Sequence, residues 1–124
     1  MHCTPSRFIP ILLGLAMSTA VAAPAPPQVR VEAESLLKAL RESGCQFNRN
    51  GSWYNGAEAQ VHLAKKLEYL DGKGLIKTTE DFISLGASTS SSTGKPYKVK
   101  CGAAPEVESS AWLQERLRVL RQPR

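Results

Sequence analysis

The stretch Cys45-Gln46-Phe47-Asn48-Arg49-Asn50-Gly51-Ser52-Trp53-Tyr54 decides the fold of this chain. Asn50-Gly51 is the strongest short-range hairpin signal, because both central positions of a type I′ turn require positive φ. With the turn placed there, Cys45, Phe47 and Arg49 share one face of the leading strand. A second stretch, Tyr97-Lys98-Val99-Lys100-Cys101, alternates strictly. Its pattern turns Tyr97, Val99 and Cys101 inward and the two lysines outward, as in a half-buried strand.

The segments around these strands carry a helical period. Val29, Ala33, Leu36, Leu37 and Leu40 recur at three- and four-residue steps, and Gly44 is placed to stop that helix. Asn55 caps a second helix running from Gly56 to about Leu70, with Ala59, Leu63, Ala64, Leu67 and Leu70 as its packing stripe. Glu58, His62, Lys65, Lys66 and Tyr69 lie away from that stripe, and Asp71-Gly72-Lys73-Gly74 ends the helix. Thr78 with Asp81 reads as a capping box for a short third helix holding Phe82, Ile83 and Leu85. Ser109 or Ser110 caps a last helix packed through Trp112, Leu113, Leu117 and Leu120. The expected class is α+β: about four helices packed on a small antiparallel sheet, made of the hairpin 45–54 and the strand 97–101.

The first residues read as an export leader. Arg7 leads an apolar run from Phe8 to Ala16 that is too short to span a bilayer, and Ala20-Val21-Ala22-Ala23 offers cleavage after Ala22 or Ala23. The expected organisation is therefore a signal peptide over 1–23, a disordered Pro/Ala-rich spacer over 24–28 and one domain over 29–122. A domain of roughly 100 residues builds only a small core. Of three cysteines, Cys3 leaves with the leader, which leaves Cys45 and Cys101 in a compartment where a disulfide persists. A two-thiolate metal site competes with that pairing, but the mature chain adds only His62 and no CxxC pair. No lipidation box closes the leader, and no later apolar run is long enough for a transmembrane segment. The expected location is periplasmic or secreted.

The full chain has a formal net charge of +5. Basic residues group as Lys65-Lys66, as Lys95-Lys98-Lys100 and as Arg116-Arg118-Arg121-Arg124. Solvated faces account for such groups; a patch for an anionic headgroup, an acidic glycan or an acidic protein surface is the sharper reading. Nucleic acid is not an expected partner, since no helix-turn-helix, zinc-finger or aromatic-basic RNA motif is present. Ser88 to Thr93 is a run of hydroxyl residues followed by Gly94-Lys95-Pro96. A phosphate-loop reading fails there, because Thr89 stands where the first glycine belongs and Pro96 where Ser or Thr must follow the lysine. The run reads as an exposed linker, or as a polar concavity in which backbone N–H groups near Gly94 face an anion or sugar. His62 carries any histidine-dependent chemistry, with Glu58 one turn away to orient it; its plain role is a hydrogen bond to a neighbouring loop. Trp53, Tyr54, Tyr97 and Trp112 complete a core, unless Trp53 and Tyr54 are exposed beside Arg49 and Lys95, where they form a binding patch instead.

Four segments taken in order resemble one family: Phe47 to Gly51, Ala59 through His62-Leu63 to Lys66-Leu67, Thr79 to Ile83, and Ser90 to Tyr97. They resemble the YfeK-like proteins, small exported bacterial proteins of unassigned activity, over about residues 30–121. The resemblance implies a periplasmic protein and brings no known enzyme and no cofactor. It picks out Arg49, Asn50, Gly51, His62, Lys66, Ser91, Gly94 and Tyr97. The pair Cys45 and Cys101 departs from the family's usual pattern, which implies a stabilising cross-link and not a functional centre. From these residues the expected ligand-binding set is Arg49, His62, Lys66, Ser91, Gly94 and Tyr97, lining one cleft for an anionic glycan-like group. The expected function is a non-enzymatic binding module for an envelope protein or cell-wall component. The alternative is a small hydrolase-like enzyme using His62 and a serine of the 88–92 loop.

Overall fold

The structure, a computed structural model, describes residues 9–11, 14 and 22–123. The export leader read over 1–23 lies mostly outside the described residues. The elements follow in the order α1 (Pro27–Glu42), β1 (Gln46–Arg49), β2 (Ser52–Tyr54), α2 (Gly56–Gly72), α3 (Thr79–Gly86), β3 (Lys98–Lys100), β4 (Val107–Glu108) and α4 (Ser109–Leu120). The four strands form one antiparallel sheet in the order β2-β1-β3-β4. The α+β class is as expected.

The hairpin turns at Asn50 (φ 53°) and Gly51 (φ 84°), the two positive values a type I′ turn demands. Its register pairs Phe47 with Tyr54 and Arg49 with Ser52. On its other side β1 takes β3, with Phe47 opposite Val99. Phe47 and Val99 are both buried against Leu36, Leu40, Leu67, Phe82, Ile83 and Leu113 from the helices. Asn55 and Thr78 accept from the backbone N–H groups of Glu58 and Asp81, and both capping boxes are complete.

Several boundaries differ from the sequence reading, each for a tertiary reason. Helix α1 begins at Pro27, two residues before Val29, so Pro27 and Gln28 of the expected spacer are helical; proline is at home in the first turn. Just before it, the Ala25 N–H donates to Asp71 Oδ1 at 2.7 Å. Strand β4 was not anticipated; it pairs Glu108 with Lys98 and Val107 with Val99. That pairing makes Glu108, with no side-chain cap bond, the residue before α4, in place of Ser109 or Ser110. Ser109 is instead buried, its N–H donating to the Tyr97 carbonyl at 2.9 Å. Leu85, an apolar member of α3, and Leu120, expected to pack, are about half exposed at 51% and 47%.

Cys45 and Cys101 form a disulfide with their Cα atoms 4.3 Å apart. It joins the residue before β1 to the residue after β3, so it closes the central strand pair at one end. Away from it, Glu32 of α1 accepts from Thr79 at 2.8 Å and from Arg121 at 2.9 Å, tying α1, α3 and the end of α4 together. No helix among the described residues is long and apolar enough to cross a membrane.

Candidate functional site

Phe47 and Arg49 share a face of β1, but only Phe47 reaches the centre of the core. Arg49, at the strand's end, emerges beside the exposed flank of α2, where His62 and Lys66 lie one helical turn apart. Tyr97, held before β3 by its N–H bond to the Ser88 carbonyl at 2.9 Å, closes the group from the other side. The Arg49 guanidinium lies 2.8 Å from His62 Nδ1 and 3.2 Å from Nε2, and donates through Nη2 to the Tyr54 hydroxyl at 3.3 Å. His62 Nε2 is 3.1 Å from Tyr97 Oη, and Lys66 Nζ donates to that same oxygen at 3.1 Å. Lys66 also donates to the Thr89 carbonyl at 3.0 Å and lies 4.9 Å from the centre of the Tyr97 ring.

The donors assign the protons. A guanidinium cannot accept, so the shorter contact requires His62 Nδ1 to be the bare acceptor and Nε2 to carry the hydrogen. Nε2–H then donates to Tyr97 Oη, which already accepts from Lys66 and keeps its own O–H for a further partner. Burial, followed by the positive charges of Arg49, Lys66 and Lys65, holds the His62 pKa below 6.5. Burial and Arg49 likewise lower Lys66, while burial raises Tyr97. Among the described residues neither Arg49 nor Lys66 is ion-paired. The acidic side chain nearest this group in the sequence, Glu58, is engaged with the Asn55 N–H at 3.3 Å.

The serine-rich loop is pinned to the hairpin tip. Asn50 Nδ2 donates to Ser90 Oγ at 3.1 Å, and Thr93 donates to Asn50 Oδ1 at 2.6 Å. The Gly94 N–H donates to the Ser90 carbonyl at 2.8 Å, and the Lys95 N–H to Thr93 Oγ1 at 3.2 Å. The N–H groups of Gly94 and Lys95, among those expected to face a ligand, are therefore engaged inside the loop. The expected set is thus split. Arg49, His62, Lys66 and Tyr97 converge; Ser91 lies beside them; Gly94 shapes the loop at φ 72°. Among the described residues His62 makes no hydrogen bond to a serine.

Two clefts flank His62. One, of about 300 Å³, lies between the hairpin and the start of α2 and is lined by Phe47, Arg49, Tyr54, Ala59, Val61, His62, Leu63 and Tyr97 among others. The other, of about 360 Å³, has Lys65, Lys66, Tyr69, Leu85 and Ser91 around His62. Sequence reasoning missed the apolar wall of the first cleft, because Ala59 and Leu63 read as ordinary core positions. Tyr54, expected either in the core or in an exposed patch beside Arg49, has the Arg49 guanidinium 5.0 Å from the centre of its ring. Trp53 is partly exposed, and Trp112 packs edge-on against Phe47 with ring centres 6.0 Å apart.

The other basic groups are accounted for mainly by pairing and packing. Arg118 pairs with Glu115, Arg121 with Glu32 and Glu80, and Lys98 with Glu108. Arg116 stacks 5.0 Å above the Trp112 ring. Among the described residues no three His, Cys, Asp or Glu side chains converge to hold a metal ion.

A family model covering residues 27–121 matches the chain: DUF5329, described as a family of unknown function. The uncharacterized protein YfeK of Salmonella typhimurium is 39% identical over 79 residues, which are 60% of this chain and 64% of that protein. The match thus spans less than two thirds of the relative's length. No solved structure matches.

Proposed function

The chain belongs to the DUF5329 family, and we propose that it is an exported, non-enzymatic binding module that takes an anionic group of an envelope protein or cell-wall component. One observation carries the reading: Arg49, His62 and Lys66 converge around the Tyr97 hydroxyl with no carboxylate paired to either strong cation. Charged side chains crowded together at a partly buried place repel one another, and burial weakens the solvation that would relieve them. A bound oxyanion supplies the missing counter-charge and accepts from the remaining guanidinium, ammonium and phenol hydrogens. The engagement of both His62 ring nitrogens, by Arg49 and Tyr97, suits a positioning role better than proton abstraction from a serine. Export fits the Cys45–Cys101 disulfide, which persists in an oxidising compartment.

Capture from a periplasmic extract, with wild type and Arg49→Ala side by side, tests the reading. Charge-assisted hydrogen bonds are worth about 1.5–3 kcal/mol each, so losing the guanidinium weakens capture by about tenfold or more. Direct titration with an acidic glycan fragment should show the same ratio. Equal capture by both proteins overturns the proposal.

A further inference from the structure

The first cleft has a feature that anion binding alone does not use. Beyond the polar end formed by Arg49, Tyr54 and His62, where the one carboxylate of the lining, Glu58, accepts from the Asn55 N–H, its inner wall is Phe47, Ala59 and Leu63, and Val61 stands on its rim. Phe47, Ala59 and Leu63 are each at most 9% exposed, whereas Val61 is 57% exposed. A cleft of about 300 Å³ falls at the lower end of the range of small-molecule sites, which combine an apolar body with a few convergent polar groups. We infer that this cleft binds an amphiphile: an oxyanion head seated on the Arg49 guanidinium and the Tyr97 hydroxyl, which His62 holds in place, with an apolar chain of a few carbons laid against Phe47, Ala59 and Leu63. The inference rests on the anion-binding reading above and adds the class of ligand.

Charge complementarity selects the head and the wall selects the tail. The Arg49 guanidinium is fixed by His62 and Tyr54 at the polar end, so its unused N–H groups are presented without further ordering. The Tyr97 hydroxyl, an acceptor for both Lys66 and His62, has its hydrogen left to donate. A neutral alcohol leaves the guanidinium without a counter-charge, and a small bare anion leaves the apolar wall in water. Carboxylate and phosphate heads share this chemistry, and the probes separate them.

The test is a calorimetric titration of the full chain with acetate, butanoate, hexanoate and octanoate, with the matching alkyl phosphates, and with octanol. Affinity should climb by up to roughly fourfold per added methylene and then level off when the cleft is full. Octanol should bind at least tenfold more weakly than octanoate, and the tighter of the two ionic series identifies the head. Ala59→Phe fills the inner wall and should weaken octanoate at least tenfold while leaving acetate unchanged. Val61→Gln, at an exposed rim position that folding does not depend on, should weaken octanoate by about threefold even if the filled variant does not fold. Affinity independent of chain length, with short anions still bound in an Arg49-dependent way, overturns this inference and leaves the binding-module reading standing. No Arg49-dependent binding of any anion overturns both.

Discussion

His62 is the residue at which burial and charge act in the same direction. Its imidazole is partly buried, and Arg49 from β1 and Lys65 and Lys66 from α2 all disfavour a second proton there. The folded protein therefore binds that proton less readily than the unfolded chain does. The contribution of His62 to stability is fully present above its ordinary pKa of 6.5 and is lost as the pH falls below it towards the lowered folded value. An NMR titration of the His62 ring should give a midpoint below 6.5, and Arg49→Ala should move that midpoint upward by removing the neighbouring charge that acts most strongly on the ring. A midpoint unchanged by the substitution would mean that the guanidinium does not sit against the ring. Tyr97→Phe tests the same group from its other side. It removes the oxygen shared by His62 and Lys66, so denaturant unfolding should show a loss of about 1–3 kcal/mol. It should also weaken binding of short anions, since the donor hydrogen of the phenol goes with it.

The hairpin tip and the 88–95 loop behave as one element, because the Asn50 side chain bonds to Ser90 and Thr93 while its backbone makes the turn. The two jobs separate by substitution. Asn50→Gly keeps a residue that tolerates φ 53° and loses only the side-chain bonds, so a cost of about 1–2 kcal/mol and faster amide exchange over 90–94 are expected. Asn50→Ala adds the left-handed strain and should cost about 1 kcal/mol more by denaturant unfolding. Equal exchange in wild type and Asn50→Gly would show that the loop holds its shape without the hairpin. A second contact between elements is set by Gly56. A Cβ there would fall 2.9 Å from the Arg41 carbonyl oxygen and closer still to that of Leu40. The start of α2 and the end of α1 touch only because this residue has no side chain. Gly56→Ala must push the two helices apart, and a loss of about 2 kcal/mol or more is expected on chemical denaturation.

At the scale of the whole molecule, what could be read beforehand was whatever a local pattern determines. Asn50-Gly51 implies its turn, Asn55 and Thr78 their capping boxes, and the alternation through Val99 its strand, because each rests on neighbours in the chain. Strand β4 could not be read, since two residues, Val107 and Glu108, carry no period and are defined as a strand only by their pairing with β3. Arg49, His62, Lys66 and Tyr97 were named as a group from a family pattern, yet their hydrogen bonds and the cleft beside them exist only where β1, α2 and the segment before β3 meet. The bond from the Gly94 N–H to the Ser90 carbonyl is likewise not legible in the sequence, because a loop's N–H groups reveal their partners only in three dimensions. The cross-link is a long-range feature that the leader and the cysteine count together suggested, and it bears on the stability of the whole domain. It closes a loop across a sequence separation of 56 residues, for which the chain-entropy model gives about 4 kcal/mol. For a domain of this size 1 kcal/mol moves the melting temperature by about 4–8 °C, so reduction should lower it by about 15–30 °C. The paired strands β1 and β3 keep their register through Phe47 and Val99, so circular dichroism well below the transition should be unchanged. A Cys45→Ala/Cys101→Ala variant should melt with the reduced protein, insensitive to added thiol. Equal melting of oxidised and reduced protein would show that β1 and β3 are held by packing alone, and that the cross-link adds nothing to the frame on which Arg49 and Tyr97 are mounted.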